Sequence, residues 1–322
     1  MKRREFIGLL GGAAAAWPLA ARAQQPARVY RIAFLANSGR QAPTIVAFFD
    51  ELRLNGFIEG QNLNVVVDGF GIRDDQIDRL VAEILKAAPD AILSPELATR
   101  ALQKLTKTIP IVAMTEDMLE AGLVPSLARP GGNTTGLSLL SHGLDGKRLD
   151  ILVEAVPGAR RMAAVADATI TPPRHLQALQ SAAKARGIEL SVFALRKPEE
   201  TMPAIDAAKA AGAEAINFLA TPLTYVVRPA VYARVAALRL PAIYQWPEMA
   251  EEGGLVGYGP RFIQIWRQRA RLLAKVLRGA KPAGIPVEQP TRFELVINLK
   301  AAKAIGHEVP AALVLRADKL IE

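Results

Sequence analysis

No cysteine occurs in the 322 residues, and histidine occurs only three times. The first absence removes disulfides, thiol nucleophiles and thiolate metal sites. The second leaves little for acid–base or metal chemistry, because His142, His175 and His307 fall in a linker, an amphipathic segment and a tail loop. "HEVPA" is not the HExxH zinc motif: Ala311 stands where the second histidine belongs, and Pro310 would break the helix. Gly136-Leu137-Ser138 lacks the closing glycine of a nucleophile elbow, since Leu140 stands there. No lysine followed by serine or threonine completes a phosphate loop, and Gly131, Gly132 and Gly136 lack dinucleotide-fingerprint spacing. Catalytic residues, a metal and a cofactor are therefore not expected. Basic residues are in excess, with a net charge of +9, but they are not clustered. Part of the excess sits in the first two dozen residues, and the rest is spread over helix faces such as Arg267, Arg269, Arg271 and Lys275. Nucleic-acid binding is excluded on that distribution.

What is present begins with an address. Lys2, Arg3 and Arg4 form a positive start, Phe6–Ala20 an apolar stretch, and Ala21-Arg22-Ala23 a small-x-small cleavage site. The apolar part is shorter than the ~20 residues of a membrane helix. Arg3-Arg4-Glu5-Phe6-Ile7 fits the twin-arginine export pattern. Residues 1–23 therefore read as a signal peptide, cleaved near Ala23 to release the protein into the periplasm.

Beyond Pro26, short β-rich runs alternate with amphipathic segments. "VYRIAFLA" reads as a buried strand, and "TIVAFFDELRLNG" as a helix with Ile45, Phe48, Phe49 and Leu52 on one face. The alternation continues through "NLNVVVDG", "DAILS", "IPIVAMT" and "NTTGLSLL", with a helix expected in "MLEAGLVPSLA" before the last of these. The pattern then restarts with "RMAAVAD", "IELSVFAL", "AEAINFLA", "PAIYQW" and "GGLVGYG", one helix being read across "YVVRPAVYARVAALR". The reading is α/β: two doubly wound Rossmann-like lobes joined by a multi-strand hinge. Residues 29–141 form the first lobe, with 260–286 returning to it. Residues 142–259 form the second, with 287–322 returning to it. Hinge segments are expected near Ser141–Gly143, Tyr258–Pro260 and Val287–Thr291. Pro130-Gly131-Gly132, followed by Asn133 and Thr134, reads as a turn feeding a strand and not as an anion cradle.

Ligands of open α/β sheets sit beyond the carboxyl ends of the strands. That geometry nominates Asn37, Ser38, Ser94, Leu97, Thr115 and Asp117 in the first lobe. In the second it nominates Asp167, Thr169, Thr221, Trp246 and Tyr258. A carboxylate-bearing ligand would be met by amides and hydroxyls at a helix start near Ser94 and Thr115. An ammonium would be met by Asp117 or Asp167, and a flat apolar part by Trp246 and Tyr258.

"GLVPSLARPGGNTTGLS", "GLVGYGP", "AKVLRGAKPAGIPVEQPTRFELVINLKAAKAIG" and "VLRADKLIE" carry a resemblance over residues 29–322. The chain resembles the ABC-transporter substrate-binding proteins that include tryptophan- and tyrosine-uptake receptors. The resemblance implies a type I periplasmic binding protein fold. It also implies a monomeric receptor that delivers a small solute, an aromatic amino acid or related carboxylate, to an inner-membrane ABC permease. A periplasmic enzyme or ligand sensor on the same fold is the alternative. Family members often carry Asp-Pro where this chain has Asp117-Met118, and Asn-Pro where it has Asp167-Ala168. An aspartate frequent after the eighth strand is replaced around Ala220-Thr221.

Overall fold

The computed structural model describes residues 28–139 and 141–322. The signal peptide read over residues 1–23 lies outside them. The first sheet contains β1 (Tyr30–Ala36), β2 (Leu63–Phe70), β3 (Ala91–Pro95), β4 (Ile111–Thr115) and β5 (Thr134–Ser138). Its order is β2-β1-β3-β4-β5, with every pair parallel. Alternation along the strands divides two cores. Ile32 and Phe34 face α1 (Pro43–Leu54), where Ile45, Phe48 and Leu52 complete the stripe. Ala33 and Leu35 face the opposite side, against α2 (Ile77–Ala87) and α3 (Glu96–Leu105). Both faces of a parallel sheet are thus covered, as its continuous apolar strands require.

The second lobe starts with α4 (Ser141–Ala155), β6 (Arg161–Asp167), α5 (Pro173–Ala185), β7 (Glu189–Leu195) and α6 (Thr201–Ala210). It continues through β8 (Ala215–Phe218), α7 (Pro222–Val226), α8 (Arg228–Ala237), β9 (Ala242–Tyr244), α9 (Pro247–Glu251) and β10 (Val256–Gly259). The long helix α10 (Phe262–Leu277) then packs back onto α1 and the first sheet. The amides of Val287 and Glu288 bond to Leu127 O and Gly136 O in the first lobe, at 2.8 and 2.9 Å. After that, β11 (Glu294–Asn298), α11 (Leu299–Ile305), α12 (Ala311–Val314) and β12 (Lys319–Ile321) join the second lobe. Its sheet has the order β12-β11-β10-β9-β8-β6-β7, with β11 antiparallel to β10. The chain therefore passes between the lobes after β5, after β10 and before β11.

Mixed α/β architecture with two largely parallel sheets matches the sequence reading. Three local differences have physical causes. Residues 118–128 form turns instead of a helix, because Asp117 Oδ1 takes the amides of Leu119 and Glu120 and Gly122 adopts a φ of 67°. Pro125 completes the break. The single helix read across 225–239 is two, because Pro229 opens α8 and leaves Val227 as the joint. The short strand β12 and the helix α9, opened by Pro247, carry too few residues for periodicity to reveal them. At the glycine-rich stretch, Gly131 and Gly132 take φ values of 61° and 67° ahead of β5. Asn133 Nδ2 holds this turn to Thr106 O and Ile109 O, at 3.2 and 2.8 Å.

Candidate functional site

The carboxyl ends of the two sheets face one another across a cavity of about 130 Å³. That is close to the ~150 Å³ of an apolar protein cavity able to take up benzene. Strand ends deliver its polar lining, as expected for open parallel sheets. Asn37 and Ser38 follow β1, Leu97 lies in the first turn of α3, and Thr115 ends β4. Opposite them stand Asp167, closing β6, with Thr169, then Thr221 before α7 and Trp246 before α9.

The second lobe's polar wall is bonded to itself. Asp167 Oδ1 accepts the amide and the hydroxyl of Thr169 at 2.8 and 2.6 Å. Its Oδ2 accepts the Thr221 hydroxyl at 2.7 Å. Thr221 N donates to Gln245 Oε1 at 2.7 Å, and Gln245 Nε2 returns a bond to Thr221 O at 3.1 Å. The Thr221 hydroxyl also caps α7 by accepting from Leu223 N. A carboxylate buried to this depth is tolerable only with such donors around it.

Rings form the second feature. Trp246 stacks on Phe262 with centroids 4.5 Å apart and planes 16° apart. Tyr225 and Trp266 meet Phe262 edge-on, at 5.1 and 6.2 Å. Tyr225 and Trp246 come from the second lobe, and Phe262 and Trp266 from α10, so the cluster joins the lobes. Burial pushes the Tyr225 phenol up to about 12, keeping it neutral at physiological pH. One hydrophobic core runs continuously from Phe34 through Trp266 and Phe262 to Trp246 and Phe218.

Charge is distributed unevenly around the cavity. Glu96, Glu116 and Asp167 are its acids, and Arg269 is the lining cation. The Glu96 carboxyl is raised, chiefly by desolvation; the nearby Asp167 and Glu120 charges add to this and the bond from Arg100 opposes it. Arg174 of α5 reaches across the mouth to Glu120 in the first lobe, with Nε 3.0 Å from Oε1.

Three of the nominated residues lie elsewhere. The Ser94 hydroxyl is 2.7 Å from that of Thr99, buried inside the first lobe. Asp117 is consumed by the turn that follows β4, and its neighbour Glu116 faces the cavity instead. Tyr258 packs into the second lobe's other core, its carbonyl accepting Arg148 Nε at 2.9 Å. His175 and His307 bond to Asp145 and to Ala155 O, away from the cavity. Among the described residues, no group of three or more His, Cys, Asp or Glu is placed to hold a metal ion.

Sequence reasoning missed Tyr225, Phe262, Trp266 and above all Arg269. Arg269 is not on a charged helix face: it is 1% exposed, and it lines the cavity. The signal was its position, since Phe262, Ile265, Trp266, Arg269 and Leu273 follow one another at helical spacing on the buried stripe of α10.

Comparison with known proteins gives a consistent result. The model of the ABC transporter substrate binding protein family matches residues 74–321. The tyrosine-binding protein of Clostridioides difficile (strain R20291) is 24% identical over 264 residues, covering 80% of this chain and 75% of that protein. The crystal structure of a conserved domain protein from Vibrio cholerae aligns with a TM-score of 0.81 at 24% identity, over 91% of this chain and 99% of that one. An ABC domain in complex with L-Trp from Streptococcus pneumonia aligns at 0.79 with 19% identity, over 91% and 100%. The shared fold is the two-lobed type I periplasmic binding protein fold.

Proposed function

The chain belongs to the ABC transporter substrate-binding protein family, and on that premise we propose that it is the exported solute receptor of an ABC importer. It captures a small aromatic carboxylate, with an aromatic amino acid as the leading case, between its lobes. It works as a monomer in the periplasm after loss of the twin-arginine signal over residues 1–23. It passes the solute to an inner-membrane permease, without chemical turnover. The observation that carries this reading is the ring cluster of Tyr225, Trp246, Phe262 and Trp266 on a cavity of ring-like size. Aromatic faces placed this way favour a flat apolar guest. An ammonium on the guest finds Glu96 on one lobe and Asp167 on the other, and would relieve the repulsion between them. Lobe closure about the three chain passages then buries the solute.

The test is a thermal-shift screen of the mature protein against L-tyrosine, L-tryptophan, arylpropionates and sugars. A ligand at a hundred times its dissociation constant adds about 2.7 kcal/mol to the native state. Stabilisation by aromatic carboxylates and not by sugars is expected. Stabilisation by sugars alone would overturn the reading.

A further inference from the structure

Buried polar groups normally find partners, and each donor left without one costs on the order of 1–3 kcal/mol. The cavity wall of the first lobe nevertheless carries three such atoms: Thr115 Oγ1, Trp266 Nε1 and Arg269 Nε have no partner among the described residues. These residues are 4%, 2% and 1% exposed. All three are donors or can donate, so they share one need, an acceptor supplied from the cavity.

Arg269 is the most demanding of them. Its guanidinium lies 5.1 Å from the Trp266 ring centroid, and Nη2 donates to Ser94 O and Val112 O at 3.0 Å each. Two neutral carbonyls do not compensate a full charge out of water, and Arg269 makes no ion pair among the described residues. Desolvation pulls this group down to about 9, yet it remains a cation at neutral pH.

We infer that Arg269, with the Trp266 N–H and the Thr115 hydroxyl, is the anion-receiving pole of the cleft, so that the solute binds with its carboxylate toward the first lobe. This rests on the reading of the cleft as a site for a small aromatic solute. The opposite orientation is disfavoured on two counts. The donors of Thr169, Thr221 and Gln245 are already spent on the second lobe's own network. Asp167 on that wall would also repel an incoming carboxylate, whereas the first lobe's acids, Glu96 and Glu116, share their side of the cavity with the Arg269 cation. Arg269 thereby sets specificity: it selects acids over their neutral amides and esters, whatever ring they carry.

The experiment is calorimetric titration with L-tyrosine, L-tyrosinamide, phenylpropionate and phenylpropionamide. Wild-type protein should prefer each acid over its amide by about 30-fold or more, the scale for an uncompensated buried charge gaining a partner. In Arg269→Gln, which keeps donors but loses charge, that preference should fall to within about threefold; Arg269→Lys should restore part of it. Equal binding of acid and amide by wild-type protein overturns the inference without any variant. So does an undiminished acid preference in Arg269→Gln, which would make Arg269 a prop for the first sheet. If none of the four probes binds wild-type protein, the aromatic-solute reading fails and takes this inference with it.

Discussion

The two walls of the cleft are built on opposite plans. In the second lobe Asp167, Thr169, Thr221 and Gln245 satisfy one another, so that wall is complete without a guest. In the first lobe Thr115, Trp266 and Arg269 each hold a buried polar atom with no described partner. A closed network is rigid and costly to disturb, whereas an open one stores a demand that only a ligand meets. The lesson is a division of labour: the second lobe contributes a fixed polar platform, both sides share the ring cluster, and the first contributes recognition of the solute's carboxylate.

Substitutions separate the two plans by where their cost appears. Trp246→Ala should have the largest effect, because the ring is 2% exposed and stacked on Phe262 at the junction between lobes. A loss of about 3–5 kcal/mol in unliganded stability is expected from urea unfolding, together with loss of aromatic binding in titration. Asp167→Ala comes next. It strips the acceptor from three donors, and should cost about 3 kcal/mol in the same unfolding experiment with no ligand present. Thr115→Val is the informative contrast. It removes an unpartnered hydroxyl at nearly constant shape, so unliganded stability should stay within about 0.5 kcal/mol or improve. Its acid preference in titration should nonetheless fall. A Thr115→Val protein destabilised as much as Asp167→Ala would erase the distinction between the walls.

The smallest effect is electrostatic. Burial and the nearby Asp167 and Glu120 charges hold the Glu96 carboxyl above its ordinary 4.5, against the opposing bond from Arg100. A raised acid binds its proton in the folded chain at pH values where the unfolded chain has lost it. Its unfavourable contribution is therefore present above the folded value and relieved as pH falls through that value toward 4.5. Glu96→Gln should accordingly raise unliganded stability slightly at pH 7 and remove part of the gain seen on acidification. Parallel melting curves across that window check it. A steeper dependence in the variant would contradict the assigned direction.

Much of this architecture was legible from the chain. Alternating apolar runs and helical stripes revealed two α/β lobes, because burying both faces of a parallel sheet leaves a strong period in the sequence. Strand-end reasoning brought eight of the nominated residues to the cavity, from Asn37 to Trp246. It fell short where a strand's final residue decides which neighbour turns inward. Around Thr115 the chain bends into a turn that absorbs Asp117 and leaves Glu116 on the cavity. In β10 the alternation sends Tyr258 toward the other core. Arg269 was missed for a different reason. An arginine among Arg267 and Arg271 looks like part of a solvated face, and only its place on the stripe of Phe262, Ile265 and Trp266 betrays burial. A charge at a core position of a helix is a contradiction in local terms, and such contradictions mark functional sites.

The most direct test of the account is a crystal structure of the mature protein with a bound aromatic amino acid. The ring is expected against Trp246, with the carboxylate within about 3 Å of Arg269, Trp266 Nε1 or the Thr115 hydroxyl. A carboxylate seated instead on the Asp167–Thr221–Gln245 wall, with Arg269 still unpaired, would contradict it.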